Sequence, residues 1–326
     1  LDRVVVAGYA PMAGGKNAAL GFAVARLLPD GAPDTTFDFD GKVLVGFDRK
    51  NAWAYAVALD GDGRTVLAGS QDRTSLAFAR LEEDGTLDTT FDGDGRLTIS
   101  FGRQSGNVLA DAIAVQADGR IVSAGTRNSD FVVVRLLDNG ARDTSFAGDG
   151  LVFTDFAGAA DEAHAVVIDG DCAVSPCSTR RIIAGGRASA PASSPVEAAS
   201  TTDFAIARYT DSGALDSTFG AGGRVKLDAS GAFNKVRGLA LQGDGRLVFT
   251  GPVTNPGYSW FAWGVGRVDS SGALDTTFGS GGLVDVLRPD GTEPWDVSLD
   301  ANGDLHVVGV SKVGGASTMT LAKFRR

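Results

Sequence analysis

Residues 87–96 read Leu-Asp-Thr-Thr-Phe-Asp-Gly-Asp-Gly-Arg, and residues 114–125 read Ala-Val-Gln-Ala-Asp-Gly-Arg-Ile-Val-Ser-Ala-Gly. Asp-Gly pairs favour tight turns, and the short apolar runs beside them favour strands. The Asp-(Thr/Ser)-(Thr/Ser)-Phe string recurs, with its Asp at Asp34, Asp88, Asp143, Asp216 and Asp275. The intervals are 54, 55, 73 and 59 residues, and the longest carries two insertions, near 170–180 and 187–202. Each Asp lies eight residues after an Arg (Arg26, Arg80, Arg135, Arg208, Arg267), and Lys323 takes the Arg place in a sixth copy. Each Phe lies four residues before a Gly (Gly41, Gly95, Gly150, Gly223, Gly282). A Gly also closes each Val-rich run: Gly8, Gly69, Gly125, Gly185, Gly251 and Gly309. Self-similarity at a fixed period is the mark of a repeat architecture.

One unit reads as four strands, at 95–101, 110–116, 121–124 and 131–137, with no sustained helical period. Four antiparallel strands per repeat describe a propeller blade. The expected fold is all-β, a β-propeller of four-stranded antiparallel blades. It forms a single domain over 1–326, from about 5.5 repeats of roughly 55 residues. An open β-solenoid is the alternative. The chain begins at a third strand, so six blades are expected, with the inner half of the first lost by truncation. The Asp-Thr-Thr-Phe segment is placed as the crossing from the outer strand of one blade to the inner strand of the next. Phe37, Phe91, Phe146, Phe219 and Phe278 are expected to wedge between blades. The Arg and Asp recur in every unit, which points to structural pairing, because a buried Arg needs its donors satisfied.

The two strings quoted first resemble the bacterial delta-60 repeat, a family regarded as a β-propeller of unknown function and typical of exported or surface proteins. The resemblance covers essentially the whole chain and implies no catalytic residues. The fourth repeat departs from the pattern through its insertions.

Composition narrows the function. The net charge of −10 argues against nucleic acid and anionic membrane partners, which select basic faces. No apolar run is long enough to span a membrane. Leu1-Asp2-Arg3 leads straight into a strand without a signal peptide, so a removed leader or a fragment is expected. Cys172 and Cys177 flank Ala-Val-Ser-Pro, and a disulfide between them suits an exported protein, with reduced thiols as the alternative. An extracellular or cell-surface location and a monomer are expected.

No nucleophile elbow, phosphate loop or zinc-protease string is present, so the catalytic residues are unknown and no enzyme is expected. Asp60-Gly61-Asp62-Gly63 and Asp92-Gly93-Asp94-Gly95 read as hairpin turns. A structural calcium ion is the alternative there; otherwise no cofactor and no metal site are expected. His164 and His306 lack partners at zinc-ligand spacing.

Strand alternation sorts the connections into a uniform face and a variable face. The variable one includes Tyr9–Ala19, Gly186–Thr202, Pro252–Trp260 and Ser311–Ser317. Aligning the second strands puts Tyr55, Asp111, His164, Arg237 and Trp295 in one column near the variable face. With Trp53, Tyr258 and Trp260 they form the expected ligand-binding set, suited to a glycan or protein. The expected function is a secreted or surface-exposed binding or scaffold module; the alternative is a secreted hydrolase or lyase acting on a polysaccharide.

Overall fold

Short apolar runs punctuated by Gly and Asp fold into strands, and a computed structural model describes residues 3–13, 18–102, 106–156, 160–170, 179–189, 202–229, 233–254, 261–286, 293–313 and 316–324. The described residues contain no α-helix, and so none long and apolar enough to cross a membrane. They form six sheets, paired antiparallel. The first holds β1 (Val4–Pro11), β2 (Leu20–Leu27) and β3 (Lys42–Val45). The second holds β4 (Ala52–Leu59), β5 (Thr65–Gln71), β6 (Ser75–Leu81) and β7 (Arg96–Ser100). The third holds β8 (Val108–Val115), β9 (Ile121–Arg127), β10 (Asp130–Leu136) and β11 (Leu151–Thr154). The fourth holds β12 (Asp161–Asp169), β13 (Arg181–Ser189), β14 (Thr202–Thr210) and β15 (Arg224–Leu227). The fifth holds β16 (Gly238–Leu241), β17 (Leu247–Thr254), β18 (Phe261–Val268) and β19 (Leu283–Val286). The sixth holds β20 (Glu293–Leu299), β21 (Leu305–Val313) and β22 (Ala316–Phe324).

Contacts divide the chain into two compact units, Leu1–Val152 and Phe153–Asp171 with Pro176–Arg326, and the boundary falls inside β11. In the first unit β4 packs beside β1 and β8; in the second β16 packs beside β12 and β20. The middle strands β5 and β6 are buried on both faces. Alternate side chains therefore feed different cores. Leu67 and Ala77 join Phe22 and Phe47, whereas Val66 and Phe78 join Ile121 and Val134. In the second unit Phe249 packs with Ile183 and Phe204, and Val248 packs with Trp263, Val297 and Val307.

The phase of the blade differs from the sequence expectation. Asp88-Thr89-Thr90-Phe91 joins β6 to β7 within one sheet and is not the crossing between sheets. The segment folds back on itself. Asp88 N–H donates to Arg80 O, Arg80 N–H to Gly95 O, and Gly95 N–H to Phe91 O, at 3.0, 3.0 and 2.8 Å. These bonds return the chain alongside β6, and the step between sheets falls instead between β7 and β8. In this phase the first sheet lacks only its β4 equivalent, and the sixth is also three-stranded among the described residues.

The paired Arg and Asp meet in all five copies. Arg Nε donates to the Asp at 2.8 Å (Arg26–Asp34), 2.6 Å (Arg80–Asp88), 2.8 Å (Arg135–Asp143), 3.0 Å (Arg208–Asp216) and 2.9 Å (Arg267–Asp275). Nη2 reaches the hydroxyl two residues beyond the Asp, on Thr36, Thr90, Ser145, Thr218 and Thr277. Each guanidinium also lies over the Phe of its own string, 4.5–5.1 Å from the ring centroid. Nη1 of Arg26, Arg80 and Arg208 then donates to a carbonyl of the following sheet, on Glu83, Asp138 and Ser270. A second Arg that opens the third strand of the repeat (Arg3, Arg64, Arg120, Arg181, Arg246) reaches the same carboxylate. In the sixth copy Lys323 bonds Asp300 and Asp304 at 3.0 and 2.9 Å.

Phe37, Phe91, Phe146 and Phe219 are buried as expected, but Phe278 is only half-buried. A turn glycine of the following sheet (Gly85, Gly140, Gly272) covers Phe37, Phe91 and Phe219. The sixth sheet has no fourth strand among its described residues, and so no such turn to cover Phe278. Phe91→Ala should cost about 3–5 kcal/mol in urea unfolding, and Phe278→Ala clearly less.

All five Asp carboxylates lie below their ordinary value. For Asp88 and Asp216 burial opposes ionisation, but hydrogen bonds from Thr90 or Thr218 and from the Arg partners outweigh it and bring the pKa to about 2. A carboxylate with a depressed folded pKa stabilises fully above its unfolded value, and the benefit disappears as pH falls through the folded value. Melting temperature followed down from neutral pH should therefore drop steeply between about pH 4 and about pH 2. Asp88→Asn should lower stability at neutral pH and flatten part of that acid slope.

Candidate functional site

Four of the five aligned column residues are β-bulges. Pairing shifts register between Ala54 and Ala56, Ala110 and Ala112, Ala163 and Ala165, and Pro294 and Asp296. Tyr55, Asp111, His164 and Trp295 are the extra residues. Arg237 holds the same place at the mouth of β16, its N–H donating to Thr250 O at 2.7 Å. A bulge leaves one residue outside the ladder and re-aims its side chain. Tyr55 is 37% exposed and Trp295 58%, while the preceding Ala54, Ala110, Ala163 and Pro294 are buried. In the second sheet the bulge sits at the end of β4 that pairs with Ser70 and Gln71, beside the turn at 72–74. That is the end assigned to the variable connections.

The bulge explains the glycine of the neighbouring strand. A Cβ on Gly69, Gly125, Gly186, Gly251 or Gly309 would collide with the carbonyl oxygen of Trp53, Leu109, Glu162, Lys235 or Glu293. Gly186 fills this role in the fourth repeat; Gly185, chosen from the sequence, pairs with Ala165 one step away. Gly8 has no atom near its missing Cβ, because β1 has no such neighbour.

In the first unit the column builds an aromatic patch. Trp53 lies under Arg73, 5.7 Å from guanidinium carbon to ring centroid. Burial, with Asp111 and Tyr9 nearby, raises the Tyr55 phenol above its ordinary value against the pull of Arg73. Tyr9 is 55% exposed. Tyr9, Trp53, Tyr55, Arg73 and Asp111 thus offer aromatic faces beside one cation and one carboxylate.

In the second unit the column builds a charged cluster. Arg187 grips Glu162 with two hydrogen bonds of 2.6 and 3.0 Å, and His164 Nε2 lies 3.5 Å from the same carboxylate. Burial works against the Glu162 charge, but His164 and Arg187 overcome it and hold its pKa at about 2. Glu162 is therefore an acceptor at neutral pH and no proton donor. Arg187 and Lys235 both lie over the Phe233 ring, at 5.6 and 5.3 Å. Burial first, and Arg237 next, lower the Lys235 amine to about 8. Arg237 approaches Glu293 at 3.8 Å. Asp296 sits against Gly238, and its desolvation there raises its pKa.

The structure thus brings Trp53, Tyr55 and Asp111 together in one unit and His164, Arg237 and Trp295 onto equivalent strands of the other. Tyr258, Trp260, Cys172 and Cys177 lie outside the described residues. Sequence reading missed Tyr9, Arg73, Glu162, Arg187, Phe233, Lys235 and Glu293. A second column two residues upstream of the first holds Trp53, Leu109, Glu162, Lys235 and Glu293, and could have revealed three of them. The others come from β1, β13, the turn at 72–74 and the run before β16, where nothing in the repeat marks them.

A family model described as a beta-propeller domain of unknown function (DUF5122) matches residues 2–37, 61–91, 116–146 and 177–219. Each matched segment ends at the Phe of the repeated string, namely Phe37, Phe91, Phe146 or Phe219. No curated protein matches the chain. Among solved structures, a glucose dehydrogenase aligns with a TM-score of 0.50 at 10% identity, over 99% of each chain. A protein from Lactobacillus plantarum aligns with a TM-score of 0.48 at 15% identity, over 99% of this chain and 82% of the other. A gluconolactonase from Xanthomonas campestris aligns with a TM-score of 0.43 at 15% identity, over 89% and 81%. At such identities the likeness extends to fold alone. The chain is all-β, and its sheets are the blades of a β-propeller.

The glycines offer a direct test of the bulge. Gly125→Ala should destabilise by about 1–3 kcal/mol or more, as over-packing does, while Gly8→Ala should leave the urea midpoint nearly unchanged.

Proposed function

We propose that this chain is a secreted or surface-exposed binding module of the delta-60 repeat class, acting as a monomer through its bulged strand ends. The observation that carries this reading is the bulge column itself. The repeat holds one position out of the ladder in four sheets and fills it with Tyr, Asp, His or Trp, with Arg237 at the same place in a fifth, while the residue before it stays buried. A regular scaffold with one varied, outward-aimed position is suited to recognition. Exposed aromatics beside charges favour a glycan or a protein surface as ligand.

A second reading, a hydrolase or lyase acting on a polysaccharide, draws on Asp296, packed against Gly238, whose pKa desolvation raises as suits a general acid. Release of reducing ends from polysaccharides, lost in Asp296→Asn, would favour it.

A glycan array and a pull-down with the intact chain test the binding reading. Trp295→Ala and Tyr55→Ala should weaken capture tenfold or more, a typical loss of about 1.4 kcal/mol or above for a buried aromatic anchor. Asp62→Ala, at the opposite strand ends, should leave capture unchanged. Loss in Asp62→Ala alone would reverse the face.

A further inference from the structure

Three cations gather in the second unit, Arg187 and Lys235 over the Phe233 ring and Arg237 two residues along the chain from Lys235. Two of them are answered by carboxylates: Arg187 by Glu162 at 2.6 Å, and Arg237 by Glu293 at 3.8 Å. Lys235 is not. Among the described residues no carboxylate comes within ion-pair distance of its amine, which lies over the Phe233 face, 5.3 Å from the centroid, with Glu293 and Glu162 attracting it from farther off. Counting Arg187, Lys235 and Arg237 against Glu162 and Glu293 leaves one positive charge. That local excess stands out on a chain whose net charge is −10.

The backbone holds this charge in place. The Lys235 carbonyl occupies the space opposite Gly251, so the strand cannot slide without a clash. Val236 N–H and Arg237 N–H are bonded to Gly186 O and Thr250 O, at 2.8 and 2.7 Å. On the neighbouring strand, Trp295 stands between Glu293, which approaches Arg237, and Asp296, which lies against Gly238. A half-buried ammonium with no carboxylate in ion-pair contact, flanked by two guanidiniums, attracts an anion. An exposed indole on the adjacent strand supplies a flat apolar face, which suits the C–H face of a sugar ring.

We propose that this cluster binds a uronate, a sugar ring carrying one carboxylate, with Lys235 as the counter-charge, Arg237 beside it and Trp295 as the stacking surface. The inference rests on the binding reading above and names the ligand class for one of its patches. One carboxylate balances the single excess charge. A phosphate monoester would bring about 1.5 to 2 negative charges, more than this excess balances. The lowered basicity of Lys235 fits the same picture, because a bound anion would restore the charged amine that burial and Arg237 now disfavour.

The test is calorimetry of the full chain with trigalacturonate, trimannuronate and their methyl esters. The ester keeps the ring and removes the charge. At least one free acid should bind, its ester at least tenfold more weakly, and Lys235→Gln should lose tenfold or more for the acid alone. Arg237→Gln should lose several-fold. As a measure that needs no variant, the bound acid should protect Lys235 from acetylation, read by mass spectrometry. Equal binding of acid and ester, or no binding of either acid, overturns the uronate assignment while leaving array hits that depend on Trp295 or Tyr55 intact. Acid binding unchanged in Lys235→Gln, with Lys235 unprotected, places the anion elsewhere and overturns the role of this residue. Failure of the binding reading itself would differ: no glycan or protein captured by the wild-type chain at all.

Discussion

A buried guanidinium must have every donor answered, and this fold arranges its repeat around that demand. Arg80 is 1% exposed and serves three structures at once. Its Nε holds the Asp88 carboxylate, its Nη2 the Thr90 hydroxyl, and its Nη1 the Asp138 carbonyl of the next sheet. The first two bonds shape the return from β6 to β7, and the third ties that return to the following blade. Phe91 packs under the guanidinium and against Gly140 of the following sheet. One side chain therefore couples strand pairing inside a sheet to packing between sheets. Removing one member of such a buried set strands a charge, typically at a cost of about 3–5 kcal/mol. Replacing the whole set by apolar residues need not destabilise; the set specifies geometry more than it adds stability. Coupling of each repeat to the next is the usual logic of repeat proteins.

The other recurring device is the bulge and its glycine. The bulged strand drives a carbonyl toward the neighbouring strand, where only a residue without Cβ leaves room. Glycine at that place and freedom at the bulge are two sides of one constraint. The backbone is fixed, and the bulge side chain stands outside the ladder, exposed at Tyr55 and Trp295 and nearly buried beside Glu162 at His164. Evolution of the site can then proceed by changing Tyr55, Asp111, His164, Arg237 or Trp295 with little effect on the sheet.

Electrostatics separate the two ends of the strands. At the turn end, carboxylates are consumed in local bonds: Asp60 accepts from the N–H groups of Asp62 and Arg64 and from the Arg64 guanidinium. At the bulge end, charges are less fully answered, and Lys235 is the clearest case. The acidic chain as a whole repels anions at long range, yet screening at physiological salt confines that effect to about 8 Å, so a local cationic cluster can still act.

The repeat, the strands, the all-β class and the Arg–Asp pairing were legible in the sequence, because each depends on residues close in the chain and recurring at fixed spacing. Arg80 and Asp88, eight residues apart, meet through a turn that the intervening Gly and Thr residues prescribe. The column of Tyr55, Asp111, His164, Arg237 and Trp295 was legible for the same reason. Tertiary structure alone decided what lies across strands and between sheets. It moved the Asp-Thr-Thr-Phe return inside the blade, since hydrogen bonding to β6 outcompetes a crossing of equal length. It showed Gly186, not Gly185, opposite the bulge, because the extra residue shifts pairing by one in a way no spacing reveals. It placed Arg187, Phe233 and Lys235 in one cluster, from β13 and the run that leads into β16, with an insertion between them in the chain. Their meeting follows from how sheets stack, and stacking distance is not written in the order of residues along the chain.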